Sequence, residues 1–166
     1  ALTLNQNLEP GTINLEPQRQ RLIGTLVHRL LQRGEDPSAD DDTLNRRVVQ
    51  LLTPDERVDV VDLDGLASAV ASTYRALRLR PDVEALLESG TCYFEVPFSF
   101  EAPAGTRDLV RGVVDCLVMA ADGSVTVLEF KTGEARGEHQ AQARLYGEAM
   151  GALLGTAPVS VNVLYS

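Results

Sequence analysis

Apolar positions along the chain show two textures, one before and one after about residue 90. In the first, Leu22, Ile23, Leu26, Val27, Leu30 and Leu31 recur at the spacing of one buried helix face, and Gly34 supplies a stop. The same pattern predicts helices over 42–52, 63–79 and 82–87, the last opened by Pro81. From Thr91 the texture changes to β-branched and aromatic runs. "TCYFEVPFSFE", "RDLVRGVVDCLVMA" and "SVTVLEFKT" predict strands, with "AADGS" as a hairpin turn between the last two. An amphipathic helix over 138–153 and a strand in "PVSVNVLYS" follow. The expected organisation is one domain over 1–166: an extended segment 1–16, a mainly helical part 17–90, and a sheet-and-helix core 91–166.

A chain of 166 residues can build one full hydrophobic core. With 44 % apolar and 23 % charged residues it has the composition of a soluble domain. No apolar run approaches the ~18 residues of a membrane span. The N-terminal stretch, with no basic residue before Arg19, lacks the pattern of a secretory signal. A cytoplasmic protein without membrane contact is expected. Cys92 and Cys116 fall in predicted strands and read as buried small hydrophobes. Two thiols cannot supply the four ligands of an iron–sulfur cluster or a cysteine-rich zinc site.

The net charge of −9 excludes capture of nucleic acid by bulk attraction alone. Charge is nevertheless segregated. Arginines gather in "RQRLIGTLVHRLLQR" and "YRALRLR", and acids in 34–43 and 55–65. The acidic stretches read as solvated loop and helix start, because "DLDG" lacks the third oxygen ligand and distal glutamate of a calcium loop.

Chemistry concentrates on the predicted hairpin. A three-residue loop, Ala121 to Gly123, would make paired residue numbers sum to 244, with Asp115 opposite Glu129 and both side chains on one face. A two-residue loop would put them on opposite faces. Their neighbours Val113, Val114, Leu117, Val118, Val125, Val127 and Leu128 are apolar on both faces, which predicts a strand pair covered on both sides. Unpaired carboxylates there cost several kcal/mol, whereas a hard divalent cation would hold both ionised. Of the 15 Lys and Arg residues 14 are arginine, and the single lysine, Lys131, lies two places after Glu129. On a strand it points to the same side, about 6.5 Å further along. A structural ion pair has no need of that one lysine. A compact ammonium with freely turning donors suits a phosphodiester and an attacking water.

"GVVDCLV" followed by "VTVLEFKTG" resembles the Asp and Glu-x-Lys core of the PD-(D/E)xK nucleases. Further motifs resemble the RecB-type branch found in helicase-nucleases: His28 in "GTLVHRLL", Glu95 in "FEVPF", and Gln142 with Tyr146 in "HQAQARLYGEA". Together they span most of the chain, in the branch's order; many members carry Asp where this chain has Glu129. The resemblance implies an α/β, three-layer restriction-endonuclease-like fold, a mixed central sheet flanked by helices, with an N-terminal helical part lending His28. It implies Mg²⁺ or Mn²⁺ held by His28, Asp115, Glu129 and the backbone carbonyl of Phe130, with Asp115, Glu129 and Lys131 catalytic. Gln142 and Tyr146 would buttress the site or touch DNA. Glu95 would be an outer carboxylate of the site or an edge-strand charge, and His139 a surface residue.

The implied activity is hydrolysis of DNA phosphodiesters, on single-stranded ends presented by a helicase module in the same polypeptide or a partner, in repair or recombination. Lys131 follows Phe130, not glycine, so this chain has no ATP-binding P-loop. The alternative is an inactive nuclease-like module that serves as a DNA-binding or protein-docking element. An unrelated interaction domain would leave Asp115 and Glu129 far apart.

Overall fold

The computed structural model describes residues 16–101, 109–132, 137–155 and 159–165. The expected extended segment, apart from Glu16, lies outside the described residues. Five helices come first: α1 (Glu16–Arg33), α2 (Asp41–Leu51), α3 (Pro54–Val58), α4 (Leu63–Arg78) and α5 (Pro81–Glu88). They are followed by β1 (Thr91–Glu101), β2 (Leu109–Met119), β3 (Val125–Lys131), α6 (Gly137–Leu154) and β4 (Ser160–Tyr165). Helix starts carry their own signals. The side chains of Asp40, Thr53 and Asp62 accept backbone N–H bonds from Thr43, Glu56 and Gly65, satisfying donors that a first helical turn leaves unpaired.

The short α3 was not expected within the solvated stretch. A capping box between Thr53 and Glu56, with Pro54 at the first position, makes it. Val58 is exposed, so no buried stripe announces this helix.

The sheet runs β1-β2-β3-β4. Its first three strands are antiparallel, and β4 joins β3 in parallel after the α6 crossover. Two clusters of buried side chains flank it. On one face α1, α2, α4 and Val83 pack against Cys116, Val118, Leu128, Phe130 and Leu164. On the other, Ala149 and Met150 of α6 cover Phe98, Val114, Leu117, Val125 and Val127. Gly147 lets α6 sit close, since a Cβ there would stand 2.4 Å from a Val161 methyl. The layers are helices, mixed sheet and helix, the three-layer α/β arrangement expected for a restriction-endonuclease-like fold. β3 reads as a near-continuous apolar run because both of its faces are covered.

That cover stops short of Val113, which is 42 % exposed. β1 and β2 are 11 residues long and β3 only 7, so the far half of the β1–β2 pair extends beyond β3. Cys116 is buried and Cys92 half-buried, both as free thiols. Among the described residues no helix is long and apolar enough to cross a membrane.

Arg29 ties α1 to the start of α3. Its guanidinium donates to both Glu56 carboxylate oxygens, at 2.7 and 2.9 Å, and to the Leu51 carbonyl at 3.0 Å. Hydrogen bonding from Arg29 pulls the Glu56 carboxyl down to about 2. A carboxyl held below its unfolded value stabilises the fold above about pH 4.5 and loses that contribution as pH falls toward about 2. Glu56→Gln keeps a capping side chain and removes the charge. After discounting for partial exposure, urea denaturation at pH 7 should show a loss of about 1–2 kcal/mol, and the gap to the parent should close on acidification through that window.

Candidate active site

A three-residue loop joins β2 to β3. The Ala120 N–H donates to the Ser124 carbonyl and the Gly123 N–H to the Ala120 carbonyl, each at 3.0 Å. Gly123 takes the left-handed φ of 86° that suits the third loop position. Paired residue numbers therefore sum to 244, from Met119↔Val125 to Cys116↔Leu128. This is the register that a three-residue loop dictates, and its next rung sets Asp115 opposite Glu129. There the ladder ends and the carboxylates replace it. The Phe130 N–H donates to Asp115 Oδ2 at 2.7 Å, and the Asp115 N–H to Glu129 Oε1 at 3.4 Å.

β1 meets β2 with residue numbers summing to 210, which sets Glu95 opposite Asp115. That pair alone is missing from a ladder otherwise continuous from Thr91↔Met119 to Glu101↔Leu109. Both strands also change sides there. Cys92 and Phe94 pack with the helical cluster, whereas Val96, Phe98 and Phe100 pack with the α6 cluster. A regularly pleated strand would keep positions 94 and 96 on one face. β2 does likewise between Val114 and Cys116. Glu95 takes a φ of 52°, a left-handed conformation that costs a residue with a side chain about 1–2 kcal/mol. Glu95, Asp115 and Glu129 thus occupy one row across three strands.

His28 reaches this row from α1, beside the buried Val27. One ring nitrogen, Nε2, is 3.1 Å from the Phe130 carbonyl oxygen. The other, Nδ1, is 3.6 Å from both Glu95 Oε1 and Asp115 Oδ1. Ligand atoms of His28, Glu95 and Asp115 all lie within 4.8 Å of one another. Lys131 brings Nζ to 3.2 Å from Glu129 Oε2. Glu129 is only 1 % exposed. Burial, and then the charge of Asp115, push its carboxyl up to about 7 against the pull of Lys131.

Gln142 and Tyr146 stand on α6. Gln142 Nε2 donates to the Tyr146 hydroxyl at 2.9 Å, and the Tyr146 ring meets Phe98 edge-on with centroids 4.9 Å apart. Among the described residues their polar contacts run to each other and not to the row of acids. His139 differs from the expected surface residue: it is half-buried, with Nδ1 3.3 Å from the Tyr165 hydroxyl. Glu95 is on an edge strand, yet it stands with His28 and Asp115. The sequence alone does not place Glu95, because the connection 102–108 is too long for turn chemistry to set a register.

A family model described as the PD-(D/E)XK nuclease superfamily matches residues 2–165. The chain belongs to this superfamily. No curated protein matches it. PD-(D/E)XK nucleases usually use Mg²⁺ or Mn²⁺, and the donors gathered here fit such an ion. Lys131 pairs with Glu129, and the other two carboxylates of the row face the His28 ring. Carboxylate, carbonyl and imidazole are donors that suit a hard or borderline divalent ion. Among the described residues the side chains close enough to share an ion are His28, Glu95 and Asp115, and Glu129 stands beside them with its oxygens on the Asp115 N–H and Lys131 Nζ.

Without a metal, the raised Glu129 carboxyl binds its proton more tightly folded than unfolded. Its contribution to stability is full below about pH 4.5 and is lost as pH rises through about 7. In EDTA the parent should therefore lose stability relative to Glu129→Gln across that window, by an amount on the order of 2–3 kcal/mol. Urea midpoints at pH 5 and pH 8 measure this, and a gap that moves the other way contradicts it.

Proposed function

We propose that this chain is a metal-dependent deoxyribonuclease of the RecB type, cutting single-stranded DNA ends presented by a helicase module in DNA repair or recombination. The observation that carries this reading is the row Glu95, Asp115 and Glu129 with His28 at one side and Lys131 at the other. The RecB-type assignment is supported by the order of His28, Glu95, Asp115, Glu129-x-Lys131, Gln142 and Tyr146 on helix, strand, strand, strand and helix.

His28, Asp115, Glu129 and the Phe130 carbonyl would hold Mg²⁺ or Mn²⁺, with Glu95 beside them. The ion, when bound, supplies Lewis acidity and a water of lowered pKa. Asp115 is fixed by the Phe130 N–H on Oδ2, which leaves Oδ1 turned toward His28. Lys131, held by Glu129, presents its remaining donors to the oxygens of the scissile phosphate, where negative charge develops, and to the attacking water. Gln142 and Tyr146 order the α6 side of the DNA path. The net charge of −9 suits a cutter to which DNA is delivered by a partner and which does not capture it alone.

The test is cleavage of a single-stranded oligonucleotide with Mg²⁺ or Mn²⁺. The parent should cut, EDTA should stop it, and Asp115→Asn or Lys131→Ala should reduce the rate by on the order of 10²–10³ or more. No cleavage by the parent, with no metal bound, would favour the docking module.

A further inference from the structure

On β3, Val125 and Val127 pack beneath α6, so Glu129 and Lys131, which continue that alternation, open on the same side. On β4, Val161 packs beneath Gly147 of α6, and Tyr165 continues the same alternation. The parallel register sets Tyr165 beside Lys131, about 4.8 Å away across the strands. Asp115 lies on the β2 side of Glu129, and Tyr165 on the β4 side of Lys131. A strand whose scissile phosphate rests against Lys131 and runs on across the sheet therefore passes Tyr165 next.

His139 stands over that position. Its Nδ1 is 3.3 Å from the Tyr165 hydroxyl, and the two rings lie 5.8 Å apart at 32°. Among the described residues its Nε2 has no partner. Arg80 anchors the end of β4 by donating to the Tyr165 carbonyl at 2.6 Å and pairing with Asp82. His139 shares a helix stripe with Gln142 and Tyr146, and this stripe runs from Tyr165 on β4 to Phe98 on β1. Between those two strands lies β3, which α6 also contacts.

Resting on the nuclease reading above, we infer that His139 and Tyr165 form a second phosphate contact, for the DNA linkage next to the one held by Lys131. The Tyr165 hydroxyl donates to His139 Nδ1 and so fixes the tautomer. Nε2–H then donates to a non-bridging oxygen of the neighbouring phosphate. His139 is the group that touches DNA, and Tyr165 is a positioning residue acting through it.

The test uses the intact chain, Ca²⁺ as a hard ion, and a short thymidine oligonucleotide, with binding read by fluorescence anisotropy. His139→Ala should weaken binding about tenfold, the size of one lost hydrogen bond to a charged group. His139→Gln, which keeps a donor near the same place, should recover most of it, and Tyr165→Phe should weaken binding about threefold. The chain has only two histidines, so imidazole ¹⁵N spectra identify each ring by substitution. The His139 Nε2 signal should shift on adding the oligonucleotide and stay still with a neutral methylphosphonate analogue. Unchanged affinity in a folded His139→Ala, or a silent His139 signal while DNA binds, overturns this inference and leaves the nuclease reading standing. Failure of the parent to bind DNA overturns both.

Discussion

Three carboxylates in one row of a β-sheet are the constraint on which the rest of this structure depends. Neighbouring strands are about 4.8 Å apart, and at that distance two like charges repel by about 3 kcal/mol even at an effective dielectric of 20. The sheet answers by giving up its ladder at this row. Asp115 takes the Phe130 N–H, Glu129 takes the Asp115 N–H, and Glu95 turns into a left-handed conformation. Interrupting the ladder also changes which faces of β1 and β2 are covered, so the α6 cluster beyond the row and the helical cluster before it meet at the acids. Packing and site are built from the same departure from regular pleating.

The nitrogen-bearing side chains near the row are few, and each arrives by a different route. Lys131 comes with the strand that carries Glu129, His28 with the first helix, 102 residues away from the carbonyl it meets. Apart from Lys131, the Lys and Arg residues are all arginines, and those with ionic partners, such as Arg29, Arg75 and Arg80, pair with acids elsewhere. This division explains the lone lysine. Planar guanidinium groups suit fixed bidentate pairs such as Arg29 with Glu56, whereas among the described residues Lys131 donates to one group, a buried carboxylate.

What was legible in the sequence was local. The stripe from Leu22 to Leu31, the strand texture from Thr91 and the three-residue turn at Ala121–Gly123 each depend on neighbours within a few positions, and each has its counterpart in the fold. The short turn also fixed the register of Asp115 against Glu129 once its length was settled. The place of Glu95 was not legible, because the connection between β1 and β2 is long and turn chemistry sets no register across it. Neither was α3, whose Val58 faces solvent, nor the contact between His139 and Tyr165, which depends on where the crossover helix lands on an edge strand. The exposure of Val113 was hidden for a related reason: alternation along one strand does not tell how far the neighbouring strand extends.

The most direct measurement is a crystal of the chain soaked in manganese and recorded at a wavelength where that metal scatters anomalously. One anomalous peak among His28, Asp115 and Glu129, within bonding reach of the Phe130 carbonyl, is the expected result. An empty row at saturating manganese, or a peak that none of these three side chains touches, would contradict the claim that the acids converge to hold a cation.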